Sequence, residues 1–231
     1  MSSAPTLARL PVLARLRGLA GTRAVPGAYP TPRLARIAGG LAAVSTLISA
    51  GLVVAAVVGT RRLWFGGYVS EAGVGAHAAS YRLGIIGLGV GLVLLGFALA
   101  PSLPAVTVLL AGGGGLASLS GSVPCTEGCP LPPYESPTLP DLVHAGASIL
   151  GVGAVVLAMI AIAVLAADSL LRQVSRVAVC VVVPLLAIMG IAMLAVGRGN
   201  LAGLLERAVL TLAATWALTM CVRLTLPRPA R

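Results

Sequence analysis

Lysine is absent from this chain. Acidic residues number six and histidines two, and aromatics fill only 3% of its 231 positions. Each shortage excludes something. A transmembrane β-barrel needs aromatic girdles and ten-residue stretches of strict alternation, and neither pattern is here. The formal charge of +10 would suit a nucleic-acid groove only if basic residues alternated with exposed aromatics. Charged residues make up only 10% of the chain, too few to coat a water-soluble domain of this size.

Apolar residues dominate instead, at 58% of positions, with a mean hydropathy of +1.03. A soluble domain cannot bury that much, because its core is limited by its surface-to-volume ratio. Lipid removes that limit, and a helix of roughly 20 apolar residues crosses its core. The expected fold is therefore all-α, a polytopic bundle of six transmembrane helices.

Six stretches qualify: about Ile37 to Val58, Leu83 to Ala100, Ala105 to Val123, Asp141 to Ala166, Val177 to Val196 and Leu201 to Val222. Pro101 and Pro104 break the chain between the second and third. Asp168, Arg172 and Arg176 mark the connection between the fourth and fifth, and Pro184 is a candidate kink. Residues 1–33 read as a basic, disordered cytoplasmic arm, residues 34–226 as the membrane domain, and residues 227–231 as a short basic tail.

Arginine placement gives the orientation. With both termini inside, eleven arginines are cytoplasmic: Arg9, Arg15, Arg17, Arg23, Arg33, Arg36, Arg172, Arg176, Arg223, Arg228 and Arg231. Five are outside: Arg61, Arg62, Arg82, Arg198 and Arg207. The expected location is the cell membrane, with loops 60–82 and 124–141 on the outer face. Trp64 and Tyr68 suit an interfacial position there.

Cys125 and Cys129 share the second outer loop, where a disulfide can persist. A bridge across three intervening residues is tight but sterically allowed. A metal pair is the weaker alternative, since no second Cys or His pair is nearby. Cys180 and Cys221 fall inside spans and read as small packing residues. Glycines at 84, 87, 89 and 91, at 112–115, and at 146, 151 and 153 form small-residue stripes of the kind that bring membrane helices together. The run Gly112–Gly115 also admits a flexible break or a ligand-lining stretch.

The middles of the spans carry no ionisable residue, which argues against a proton-coupled pump. The polar residues gather near the outer ends. Asp141, His144 and Ser148, spaced i, i+3, i+7, share one helix face. Either Asp141 is a helix cap and His144 an interfacial histidine, or Asp141 orients His144 within a site. Glu206 needs a partner, with Arg82, Arg198, Arg207 and His144 as candidates, and Arg207 can snorkel outward. Ser70 and Glu71 lie in the first outer loop, with His77 as a further candidate beside them. The candidate outer pocket is thus Ser70, Glu71, Asp141, His144, Ser148, Glu206 and Arg207.

Three elements carry a resemblance. They are Tyr68-Val69-Ser70-Glu71-Ala72-Gly73 after the first span, Asp141 with His144 opening the fourth, and Gly203-Leu204-Leu205-Glu206-Arg207 opening the sixth. In this order they resemble a bacterial family of membrane proteins, domain of unknown function nine-nine-eight, over roughly residues 35 to 225. The pattern is more distantly similar to the eukaryotic Frag/DRAM/Sfk-type six-span proteins. The Cys125/Cys129 loop and the basic arm are outside it. The resemblance implies architecture rather than a reaction.

The leading functional expectation is a non-enzymatic membrane protein whose outer pocket binds a small molecule, a lipid headgroup or a partner. An intramembrane metal-dependent lipid hydrolase is the alternative, and the Ser, Asp and His inventory superficially resembles the ceramidase-like seven-span enzymes. Those use several histidines, whereas this chain has only His77 and His144. A transporter is the second alternative, although no inverted repeat is evident. Membrane lipids are the expected partners, with a protein partner or second copy of the chain left open. No cofactor, metal or nucleic acid is called for.

Overall fold

The computed structural model describes residues 31–64 and 66–226, apart from the side chains of Arg62 and Trp64. The expected basic arm, the short tail and the interfacial Trp64 side chain lie outside the described residues. Among the described residues six long helices occur: α1 (Pro32–Gly59), α2 (Ala78–Leu99), α3 (Pro104–Ser122), α4 (Leu139–Leu165), α5 (Ser169–Val196) and α6 (Asn200–Thr225). All six are long and apolar enough to cross a membrane. The shortest, α3 with 19 residues, extends about 28 Å, close to the thickness of the hydrocarbon core.

The helix starts are set by local chemistry. Pro32 follows the cap Thr31, whose hydroxyl accepts from Leu34 N–H at 3.4 Å. The first helix therefore begins five residues before the expected limit and takes Arg33 and Arg36 into its opening turns. Asp168 caps α5, accepting from Leu170 and Leu171 N–H at 3.0 and 3.2 Å. Arg172 and Arg176 are thus helical rather than part of a loop. They donate back to the last carbonyls of α4, Ala166 O at 2.9 Å and Ala163 O at 3.2 Å, which satisfies acceptors that a helix end leaves open. Helix α2 likewise begins at Ala78, so Tyr81 and Arg82 belong to it and not to the preceding loop.

Each helix packs on the next in the chain, and α6 returns to α1, so the six form a closed ring. The connections at 100–103 and 166–168 lie at the end of the bundle where α1 begins and α6 finishes, the terminus end. The opposite loop end carries residues 60–77 and 123–138, with two short helical turns, Arg61–Trp64 and Val69–Gly73.

Close approach joins α2 to both neighbours. Gly84, Gly87 and Gly91 face Ser49, Val53 and Thr46 of α1, and Gly89 lies against Gly114 of α3. Hydroxyls reinforce the contacts, with Ser45 donating to Gly87 O at 2.8 Å and Thr107 to Gly96 O at 2.8 Å. The four-glycine run stays helical. Gly113 and Gly114 are buried against Gly151 and Gly89, while Gly112 and Gly115 face open space. In α4 only Gly151 makes a close contact; Gly146 and Gly153 have nothing within reach. A stripe read from sequence counts every small residue, but only one side of a helix meets its neighbour.

The outward faces of all six helices are greasy, including Leu47, Leu83, Val108, Leu157, Leu194 and Leu204. Surface of that extent and distribution is stable against lipid tails, not water. Cys180 lies on this outward surface, contrary to the packing role expected of it, whereas Cys221 is fully buried.

Candidate functional site

The terminus end is solid. Leu95, Leu99, Val106, Leu110, Ile162 and Met220 are fully buried there in one cluster. Trp216 donates to Ser175 Oγ at 3.0 Å, and Arg223 pairs with Asp168 at 2.9 Å. Burial alone would raise the carboxyl of Asp168. The backbone amides of Leu171 and Leu170 and the Arg223 guanidinium outweigh it and hold the group below its ordinary range.

The other half of the ring is hollow. A cavity of about 540 Å³ runs between α2, α4, α5 and α6. Its walls are apolar over most of their length: Leu88 and Leu92 from α2, Val155 and Met159 from α4, Val182 and Leu186 from α5, Ala213 and Ala217 from α6. Toward the loop end the wall changes character, with Tyr68, Ser70, Tyr81, Ser120, Asp141, His144, Ser148 and Glu206. Ile149 and Gly153 also line the cavity, yet both are exposed on the outward surface of α4, Ile149 by 65%. The cavity therefore meets the lipid-facing surface beside α4. Helix α5, its neighbouring wall, buries only four of its 28 residues: Leu171, Ser175, Val182 and Ala192.

His144 is held by its Nδ1, which lies 2.9 Å from Ser120 O and 3.1 Å from Val123 O. Carbonyls only accept, so Nδ1 carries the proton, and in the neutral ring Nε2 is a bare lone pair. The ring thereby ties α4 to the end of α3. Ser120 and Ser148 hydroxyls meet at 2.7 Å beside it.

Asp141 does not bond His144. Thr138 is the cap of α4, and Asp141 is its third helical residue, completing a reciprocal capping box. Its carboxylate accepts from Thr138 N–H at 2.8 Å and hydroxyl at 2.6 Å, and from Thr126 N–H at 2.6 Å. Asp141 is thus an anchor for the Cys125/Cys129 loop. These two cysteines are joined as a disulfide, with Cα atoms 5.1 Å apart.

Glu206 takes a backbone partner rather than an arginine. Its Oε2 accepts from Val69 N–H at 2.7 Å, while Glu71 Oε1 accepts from Tyr68 N–H at 2.9 Å. Both amides open the short helical turn Val69–Gly73, where free N–H groups need acceptors. Arg207 donates to Leu63 O at 2.8 Å and Gly67 O at 3.1 Å, pinning the same loop to α6. Gly67 has φ +83°, and Gly203 lets its carbonyl lie directly against α6, where a side chain would collide.

Arg198 crosses the top, donating to Gly128 O at 3.4 Å and lying 3.5 Å from Glu135 and 3.8 Å from Glu71. Beneath it Tyr68, Cys125, Cys129 and Ala202 form a small apolar plug. Tyr68 is 4% exposed, a buried residue and not the interfacial one expected. Burial, then the nearby Glu206 carboxylate, raises its phenol above the ordinary value of 10, so it stays a hydroxyl donor.

Of the seven candidate residues, Ser70, Asp141, His144, Ser148 and Glu206 border the cavity; Glu71 and Arg207 hold its lid. His77 is apart, its ring packed over Gly59 at the end of α1. Tyr81 and Ser120 border the cavity too and were missed. The hydroxyl-rich stretch Ser118 to Ser122 inside an apolar span was the available signal for Ser120. Among the described residues no three His, Cys, Asp or Glu side chains are placed to hold a metal ion, so the hydrolase alternative gains no ligand set.

Six apolar helices in a ring define a multi-pass integral membrane protein. The chain belongs to the family described as "Protein of unknown function (DUF998)", whose model matches residues 37–223. No curated protein and no solved structure matches it.

Proposed function

We propose that this protein binds a membrane amphiphile inside its helical ring, with the polar head at the loop end and the aliphatic part along the apolar wall. The observation that carries this reading is the division of one cavity into a polar end and an apolar body, with Ile149 and Gly153 shared between cavity and lipid-facing surface. Ligand sites are commonly pockets of roughly 300–1,000 Å³, mostly apolar with a few convergent polar groups. A sideways entrance lets an amphiphile pass from the bilayer without crossing water.

The loop end faces away from the cytoplasm in this reading, and both termini face inward. The arginine bias supports that, as does a disulfide loop, which persists in oxidising compartments.

Saturable binding of a fluorescent single-chain amphiphile to the purified protein tests the proposal. Replacing Ala213→Phe fills the apolar body. Binding should weaken by at least tenfold while the protein remains monodisperse and helical. Undiminished binding to that variant, or no saturable binding to the unaltered chain, refutes the proposal.

A further inference from the structure

Of the arginines at the loop end, Arg198 and Arg207 are well matched. Arg198 faces Glu71 and Glu135, and Arg207 gives both terminal nitrogens to Leu63 O and Gly67 O. Arg82 differs. It makes one long hydrogen bond, from Nη2 to Gly73 O at 3.3 Å, and its Nε is buried with no acceptor. Among the described residues no carboxylate pairs with it. The two acids that border the cavity are engaged elsewhere, Glu206 with Val69 N–H and Asp141 with Thr126 and Thr138. An arginine keeps its charge, so a half-buried one without a counter-charge is unfavourable. Arg82 also borders open space. With Ser70, Tyr81, Ser120 and His144 it lines a side pocket of about 10 Å³, enough for one oxygen-sized atom. Those four neighbours line the polar end of the main cavity as well, so the two spaces adjoin.

We infer that Arg82 is the anion subsite of the cavity and that the occupant is a single-chain amphiphile with a carboxylate head. This deepens the binding reading above and rests on it. A carboxylate supplies the missing counter-charge and accepts from Nε, and one of its oxygens is small enough for the side pocket. Ser70, Tyr81 and Ser120 border both spaces and offer hydroxyls to the other oxygen. A phosphate monoester brings about two charges and three oxygens, more than one guanidinium and a one-atom recess can answer. The size of the cavity points to one chain. At about 540 Å³ it is within the range that single small ligands fill, whereas a two-chain phospholipid carries twice the hydrocarbon.

Displacement of a fluorescent fatty alcohol from the full chain in micelles tests the assignment. The competitors are a fatty acid, a fatty alcohol and a lysophosphatidate of equal chain length. The fatty acid should bind at least tenfold more tightly than either of the others. Arg82→Gln should remove its advantage over the alcohol and leave binding of the fluorescent alcohol unchanged. If that variant misfolds, Arg82→Lys, which keeps the charge and lacks Nε, should lower the advantage at least threefold. The advantage should also survive millimolar acetate, which carries the same head without a tail. Its loss there assigns the subsite to small free carboxylates and overturns the amphiphilic occupant. An alcohol or lysophosphatidate that binds as tightly as the fatty acid, or an advantage that persists in the Arg82 variants, overturns the head assignment. The cavity reading then still stands if Ala213→Phe weakens binding of the fluorescent alcohol. No saturable binding of the fluorescent alcohol and no displacement by any competitor overturns both.

Discussion

The two halves of the bundle are built on opposite plans. At the terminus end, side chains from all six helices close on one another around Leu99, Ile162 and Met220, and polar groups there complete helix ends. At the loop end, the same helices stand around a hollow, and polar side chains fasten a lid of two loops above it. A membrane bundle gains nothing from hydrophobic burial between helices, so a hollow persists only where other contacts hold its walls. Here Glu206, Asp141, Arg207 and Arg198 supply those contacts through loop backbone and side chains. The difference teaches that a polar residue in a span, such as Arg207, can serve a site without bordering it, by holding the loop that closes its wall.

The sharpest way to break this contrast is truncation. Ile162→Ala, in the solid half, should cost about 2–5 kcal/mol of unfolding free energy. Leu186→Ala, already facing the hollow, should cost about 1 kcal/mol or less, since it gives up few contacts. Denaturant unfolding in micelles compares the two, and equal losses would dissolve the distinction. Enlargement should run the other way. Ala158→Leu, fully buried at the solid end, should destabilise by about 1–3 kcal/mol, whereas Ala213→Leu should be neutral or stabilising.

A smaller contrast lies within the four-glycine run. Gly114→Ala places a methyl on the backbone of Gly89 and should lower the melting temperature, at a cost of about 1–3 kcal/mol. Gly115→Ala meets nothing and should gain up to about 1 kcal/mol from helix propensity. The smallest effect concerns pH. The folded carboxyl of Asp168 is held below the ordinary value of 3.8, so its contribution to stability is complete above that value and is lost as pH falls through the folded one. Melting temperatures between pH 5 and pH 2 should fall less steeply for Asp168→Asn than for the unaltered chain. Parallel curves would remove Asp168 from the account.

Much of the architecture was legible because lipid demands a long apolar run for each crossing, and nothing else in the chain resembles one. The helix starts were less so. Thr31, Thr138 and Asp168 act through local hydrogen bonds that extend helices past the apolar stretch, which hydropathy does not see. In the site, the i, i+3, i+7 spacing rightly placed Asp141, His144 and Ser148 on one face. It did not reveal that Asp141 spends its oxygens on Thr126 and Thr138. Nor did charge matching find the partner of Glu206, because that partner is a backbone amide, a group every residue carries.

The most direct test is an experimental density map of the protein in lipid nanodiscs. The account predicts elongated density between α4, α5 and α6, its polar tip against Ser148 and His144 and its tail reaching Met159. Helices closed on one another through Leu186 and Ala213, with no space between them, would contradict it.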